Sequence, residues 1–206
     1  MKKKDFFIGV FATLVIQILI FFIIFINAWN IVCFNKEINT DVAVLEGWMC
    51  DHSIKEAADY IIKNNIKTVF ISGNHINKQK KFFPKDNYAQ LGEILLKNEL
   101  KGYICEIIPV PVNSILDRTL NSAREVIKYI KENEKEIYDI IILTEENHSR
   151  RTFLSYKKVS HGINVGIHPL SDGVLNKDNW KDSSDGIKRL LTETIALFYN
   201  SIRRKI

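Results

Sequence analysis

Read as apolar and polar positions, the chain opens with one long apolar block and then alternates short apolar runs with stretches whose apolar residues recur at helical spacing. From Phe6 to Trp29 the block is broken only by Thr13, Gln17 and Asn27. At 1.5 Å per residue it reaches across a hydrocarbon core of roughly 30 Å. Residues 6–29 are therefore expected to form a transmembrane helix, with 1–5 a short N-terminus and 30–40 a polar connector to a folded domain, 41–206. Lys2, Lys3 and Lys4 precede the block, and the positive-inside rule then predicts a single pass with the N-terminus in the cytoplasm and the domain beyond an inner or plasma membrane. A cleaved signal peptide is the competing reading, but it would need a small-x-small site that Asn27-Ala28-Trp29-Asn30 does not supply.

In the domain, Asp41–Leu45 reads as a buried strand ending at Glu46-Gly47-Trp48. A helix follows, capped by Asp51 or Ser53, with Ile54, Ala57, Ala58, Ile61 and Ile62 on one face. Lys67–Ile71 is a second strand closing on Ser72-Gly73-Asn74. The lysine-rich stretch His75–Lys85 reads as an exposed loop, and Asp86 caps a helix through Leu100 with Leu91, Ile94, Leu95 and Tyr88 facing inward. Tyr103–Val110 is the third strand, and Ala123, Val126, Ile127 and Ile130 mark the next helix. Tyr138–Thr144 is the fourth strand, followed by a helix to Val159 that starts with His148, Arg150 and Arg151. Asn164–Ile167 is a fifth strand, and Ile187, Leu190, Leu191, Thr194, Ile195, Phe198 and Ile202 define one face of a last helix. Strands apolar throughout, alternating with amphipathic helices, predict an α/β fold: three layers, with a mostly parallel sheet of about five strands covered on both sides.

Charge and cysteines narrow the function classes. Without Lys2, Lys3, Lys4 and Asp5 the formal charge falls from +5 to +3, and no basic stripe interleaved with aromatics is present, so nucleic acid is not an expected partner. Cys33, Cys50 and Cys105 have no metal-ligand spacing. A Cys50–Cys105 bridge is possible, but sequence cannot bring the two sulfurs together. The expected partners are the lipid bilayer, through residues 6–29, and an anionic small molecule; no metal is expected, and the cofactor is unknown.

The ligand expectation comes from topology. Right-handed crossovers put the carboxyl ends of parallel strands on one edge. Glu46-Gly47-Trp48, Ser72-Gly73-Asn74, Asp117-Arg118-Thr119 and Asn147–Arg151 should converge there. Arginine forks and helix amides suit phosphorylated ligands, and one imidazole beside a carboxylate suffices for acid–base chemistry. His148, Glu46 and Asp117 are the candidate catalytic residues; Gly47, Ser72, Gly73, Arg118, Thr119, Arg150 and Arg151 are the candidate binding residues. Each segment has a structural alternative: Glu46 as a solvated turn residue, Gly73 as a turn glycine, Asp117 as a helix cap, Arg118 as a surface charge, His148 as a polar helix start. Arg150 and Arg151 point about 100° apart, so at most one faces a site squarely. The chain contains no G-x-S-x-G, G-x-G-x-x-G or P-loop motif.

In order and spacing, Val44-Leu45-Glu46-Gly47-Trp48, Ser72-Gly73, Asp117-Arg118-Thr119 with Ser122-Ala123, and His148-Ser149-Arg150-Arg151 resemble the YdcF, SanA and ElyC family of envelope proteins. The end is similar too, with Trp180, Ser183, Ser184, Gly186 and Thr192-Glu193-Thr194-Ile195-Ala196. The resemblance covers Asp41 to Ile202. It implies a Rossmann-like domain, often behind one transmembrane helix, with a pocket at the strand ends that adds Ser122 to the candidate binding residues, and a link to envelope integrity and to peptidoglycan-precursor or lipid-carrier metabolism. No reaction is assigned to the family, and a non-catalytic partner-binding module or a nucleotide- or S-adenosylmethionine-binding protein is the alternative. The chain departs from the family pattern at Glu46-Gly47, Asn74 and Ser122.

Overall fold

The computed structural model describes residues 3–76, 86–134 and 136–206. Its elements follow in the order α1 (Lys3–Ile26), α2 (Ala28–Val32), β1 (Val42–Glu46), α3 (Asp51–Lys63), β2 (Thr68–Asn74), α4 (Tyr88–Leu100), β3 (Glu106–Val112), α5 (Arg118–Asn133), β4 (Asp139–Glu145), α6 (Ser149–Val159), β5 (Asn164–Leu170) and α7 (Ser184–Ile202). The strands form one sheet in the order β3-β2-β1-β4-β5, and every pairing is parallel. The fold is thus α/β, with an apolar N-terminal helix, Phe6–Ile26, long enough to cross a membrane.

The pleat decides which helices each strand residue meets. Val42 and Val44 of β1 pack with Ile127 and Ile130 of α5 and Tyr156 of α6, while Ala43 and Leu45 pack with Ile54 and Ile61 of α3 and Leu96 of α4. Ile140 to Leu143 of β4 are all fully buried, which is why this run has no polar alternation. Truncating one of them, such as Ile141→Ala, would cost about 2–5 kcal/mol. Helices α3 and α4 cover one face and α5 and α6 the other.

The apolar block does not end where its hydropathy does. The helix breaks at Asn27, and Ala28, Trp29 and Val32 of α2 are buried against Leu175, Trp180 and Leu190. The break is slight, because Asn27 N–H donates to Ile23 O at 3.3 Å and Ile31 N–H to Asn27 O at 2.9 Å. The connector then runs along β5, where Lys36 and Ile167 exchange backbone hydrogen bonds.

Two helix faces differ from expectation. Leu91, Ile94 and Leu95 of α4 are only half-buried, and Ala89, Gly92, Leu96 and Leu100 are the inner face. Small residues allow α4 to lie close to the β1 and β2 turns: a Cβ on Gly47 or Gly73 would overlap the backbone of Tyr88 or Ala89. On α7 the buried positions are Gly186, Leu190, Thr194 and Leu197, whereas Ile195, Phe198 and Ile202 are 67%, 45% and 80% exposed. Only a narrow stripe of α7 meets α2 and Trp180. The caps also shift: Asn87, not Asp86, caps α4 through Gln90 N–H at 2.9 Å, and α3 starts from Cys50 without a side-chain cap. Most of the expected loop, residues 77–85, lies outside the described residues.

Candidate functional site

The strand order reverses between β1 and β4, where an open α/β sheet leaves a crevice at its carboxyl edge. Glu46 ends β1 and Thr144 sits near the end of β4, and the Thr144 hydroxyl donates to Glu46 Oε2. Glu46 is 2% exposed, with the Thr152 hydroxyl 3.4 Å from the same oxygen and His148 Nε2 4.0 Å away. A buried carboxylate costs several kcal/mol unless such partners compensate, so Glu46 is not the solvated turn residue of the alternative reading.

Beyond β4 the chain makes a tight 3-10 turn, Glu146–His148, before α6. The turn brings the buried His148 ring over the crevice, edge-on to Trp48 with centroids 5.2 Å apart. His148 Nδ1 lies 3.2 Å from Glu193 Oε1, and Nε2 lies 3.3 Å from the Thr119 hydroxyl. Arg151 ties these groups together. Its Nε donates to Glu193 Oε2 at 2.8 Å and its Nη2 to Oε1 at 3.0 Å, while Nη1 donates to the Thr119 oxygen at 2.8 Å. Burial by itself would raise the Glu193 carboxyl, but the hydrogen bonds and positive charge of His148 and Arg151 outweigh it and hold the pKa at about 2. Glu193 is therefore a fixed anion at the back of the site. It orients the imidazole with Nε2 turned toward Thr119 and Glu46, in the hydroxyl–imidazole–carboxylate order that proton transfer uses.

These groups border a cavity of about 530 Å³ lined by Glu46, Trp48, Gly73, Asn74, Tyr88, Asp117, Arg118, Thr119, Ser122, His148, Arg151, Glu193 and Asn200. Eight of the sequence-derived candidates line it together. Three do not. Gly47 and Ser72 sit behind the wall, Gly47 pressed on Tyr88 and Ser72 2% exposed. Arg150 turns the other way, donating to Asn30 O at 3.2 Å and Cys33 O at 3.4 Å over the Phe34 ring, so of the two arginines only Arg151 faces the cavity.

Asp117 occupies the N-cap position of α5 but does not cap it. Its backbone is left-handed, φ 48° and ψ 41°, with no side-chain cap bond, and its carboxylate takes Lys205 Nζ at 2.7 and 2.8 Å. The first amides of α5 therefore have no side-chain acceptor, next to the exposed Arg118, which has no hydrogen-bond or ion-pair partner among the described residues. A helix N-terminus beside an uncommitted guanidinium favours an anion.

Glu193 is the principal residue that strand-end reasoning leaves out, because it enters from α7. The signal for it in sequence is a lone carboxylate among the apolar repeats of that helix. Trp48, Asn74, Tyr88 and Asn200 also line the cavity without having been candidates. Among the described residues no group of three or more His, Cys, Asp or Glu side chains could hold a metal ion. The three cysteines are free: Cys50 precedes α3 at the carboxyl edge and Cys105 precedes β3 at the opposite edge.

Fold and site together define a five-stranded parallel α/β domain behind an apolar helix, with an acid–base cluster at its switch point. Comparison of the chain with family models, with curated proteins and with solved structures gives no match.

Proposed function

We propose that this chain is a membrane-anchored envelope protein of the YdcF, SanA and ElyC type, which binds and processes a phosphorylated or sugar-linked cell-envelope precursor at the carboxyl edge of its sheet. The observation that carries the reading is the Glu193–His148–Thr119 series, braced by Arg151, in a cavity whose other side offers Arg118 and the open amides of α5. In this reading the anionic group of the ligand sits against Arg118 and α5, His148 Nε2 moves the proton, and Glu193 steadies the imidazolium that forms. Glu46 lies close enough to His148 to order a water or a ligand hydroxyl beside it. The domain lies outside the membrane, with Lys2 to Lys4 on the cytoplasmic side; an active alkaline phosphatase fused after Ile206 supports this, and an inactive one argues for the reverse.

The test of the function is turnover of a panel of phosphomonoesters and sugar nucleotides by the detergent-solubilised full chain. Activity that drops at least about 100-fold in His148→Asn and rises in KM in Arg118→Ala supports the assignment. Turnover equal to wild type in both variants removes it.

A further inference from the structure

Among the described residues, helix α7 has an apolar stripe, Ile195, Phe198 and Ile202, that no part of the domain covers, with the half-buried Leu191 at its start. At about 100° per residue, Leu191, Ile195, Phe198 and Ile202 fall within one narrow sector. Its neighbour on one side is the buried sector of Leu190, Thr194 and Leu197. Glu193 and Asn200, which enter the cavity, project from the far side of the helix. One helix thus separates the cavity from an exposed apolar face.

The position of the anchor says what covers the face. Helix α1 is joined to α2 by Asn27 alone, with helical backbone hydrogen bonds on both sides of it, and α2 packs against α7. Ile26, the last residue of the apolar span, is roughly 5 Å along the axis from Trp29, which is in the domain core. Phe25, still within the span, packs against Trp180 with ring centroids 5.3 Å apart and planes tilted by 60°. A bilayer that contains Phe6–Ile26 therefore reaches the Trp180 side of the domain, next to α7. The residues after the stripe have the composition of an interfacial helix end: Arg203 and Lys205 lie 5.9 and 5.7 Å from the Tyr199 ring centroid, and Arg204 adjoins them. Aromatic rings and basic groups of this kind settle among lipid headgroups.

We infer that α7 is an in-plane membrane helix whose Leu191–Ile202 stripe rests in the headgroup region of the bilayer. The candidate site then lies about one helix diameter from the lipid surface. This seat does not depend on what the cavity binds.

The experiment uses the full chain with Cys33, Cys50 and Cys105 changed to serine, reconstituted into equimolar phosphatidylcholine–phosphatidylglycerol vesicles. A fluorophore is attached through Ile195→Cys or Ile202→Cys, and an acyl-chain doxyl phosphatidylcholine serves as quencher. Labels through Ile26→Cys and through Asn133→Cys, at the amino-terminal edge of the sheet, mark lipid and water. Both α7 labels are expected to lose fluorescence within about twofold of the Ile26 label. Quenching no greater than at Asn133 overturns the inference. So does protection of both positions accompanied by an Ile195→Cys disulfide between two copies, which would make the stripe a dimer interface.

Discussion

His148 Nδ1 and Glu193 Oε1 lie 3.2 Å apart, on a turn after β4 and on α7. The contact closes the crevice of the sheet with a helix from the end of the chain, and it gives that helix an electrostatic reason to stay in place.

This contact has a pH signature. Folding lowers the Glu193 carboxyl from 4.5 to about 2, so its stabilisation is complete above about 4.5 and disappears as the pH falls through about 2. The full shift corresponds to roughly 3 kcal/mol. Burial raises the carboxyls of Glu145 and Glu146, so these two favour the folded state on acidification and offset part of the loss. Urea denaturation across this range should show an acid limb that flattens in Glu193→Gln; an equally steep limb in the variant would refute the assignment.

Arg118 and Arg150 should separate binding from stability. Arg118 is exposed and unpartnered among the described residues, and a charge-assisted bond to a ligand is worth about 1.5–3 kcal/mol. Arg118→Ala is expected to weaken phosphate binding by roughly 10- to 100-fold, measured by calorimetry, without moving the denaturation midpoint. Arg150 holds the connector through the Asn30 and Cys33 carbonyls, so Arg150→Ala should lower stability by about 1–2 kcal/mol and leave binding unchanged.

Gly47→Ala and Gly73→Ala put a methyl group into the backbone at the start of α4. Each should cost about 1–3 kcal/mol by thermal denaturation because α4 has to move away from the sheet. Wild-type stability in both would mean that α4 is not held that closely.

Asp117 is a test of backbone conformation against charge. A β-branched residue at φ 48° is strained, and Asp117→Val should cost about 1–3 kcal/mol. Asp117→Asn keeps a side chain that tolerates this conformation and loses only the half-exposed Lys205 pair, so its cost should stay below about 1 kcal/mol. Equal losses in the two would assign the effect to the ion pair.

The α/β alternation was legible because the strands are apolar on both faces and the α3 and α5 helices carry regular apolar repeats. Convergence of Glu46, Gly73, Asp117–Thr119 and His148 followed from parallel topology, since every strand of such a sheet ends on the same edge. What hydropathy could not say is whether an apolar residue has a neighbour. Ile195 and Ile202 belong to the same repeat as Leu190, yet only Leu190 meets Trp180 and α2. In the same way Ala28 and Trp29 extend the apolar span in sequence while belonging to the domain. The choice between Arg150 and Arg151 depended on where the connector lies, which neither residue encodes.

Because α2 both follows directly on the apolar helix α1 and is part of the domain core, the place where the chain can be cut is constrained. A soluble form beginning at Asp41 would discard Trp29 and Val32 and leave Trp180 and Leu190 uncovered, and it would tend to aggregate. One beginning at Asn27 keeps Ala28, Trp29 and Val32 over that cluster, and it is the truncated form expected to crystallise.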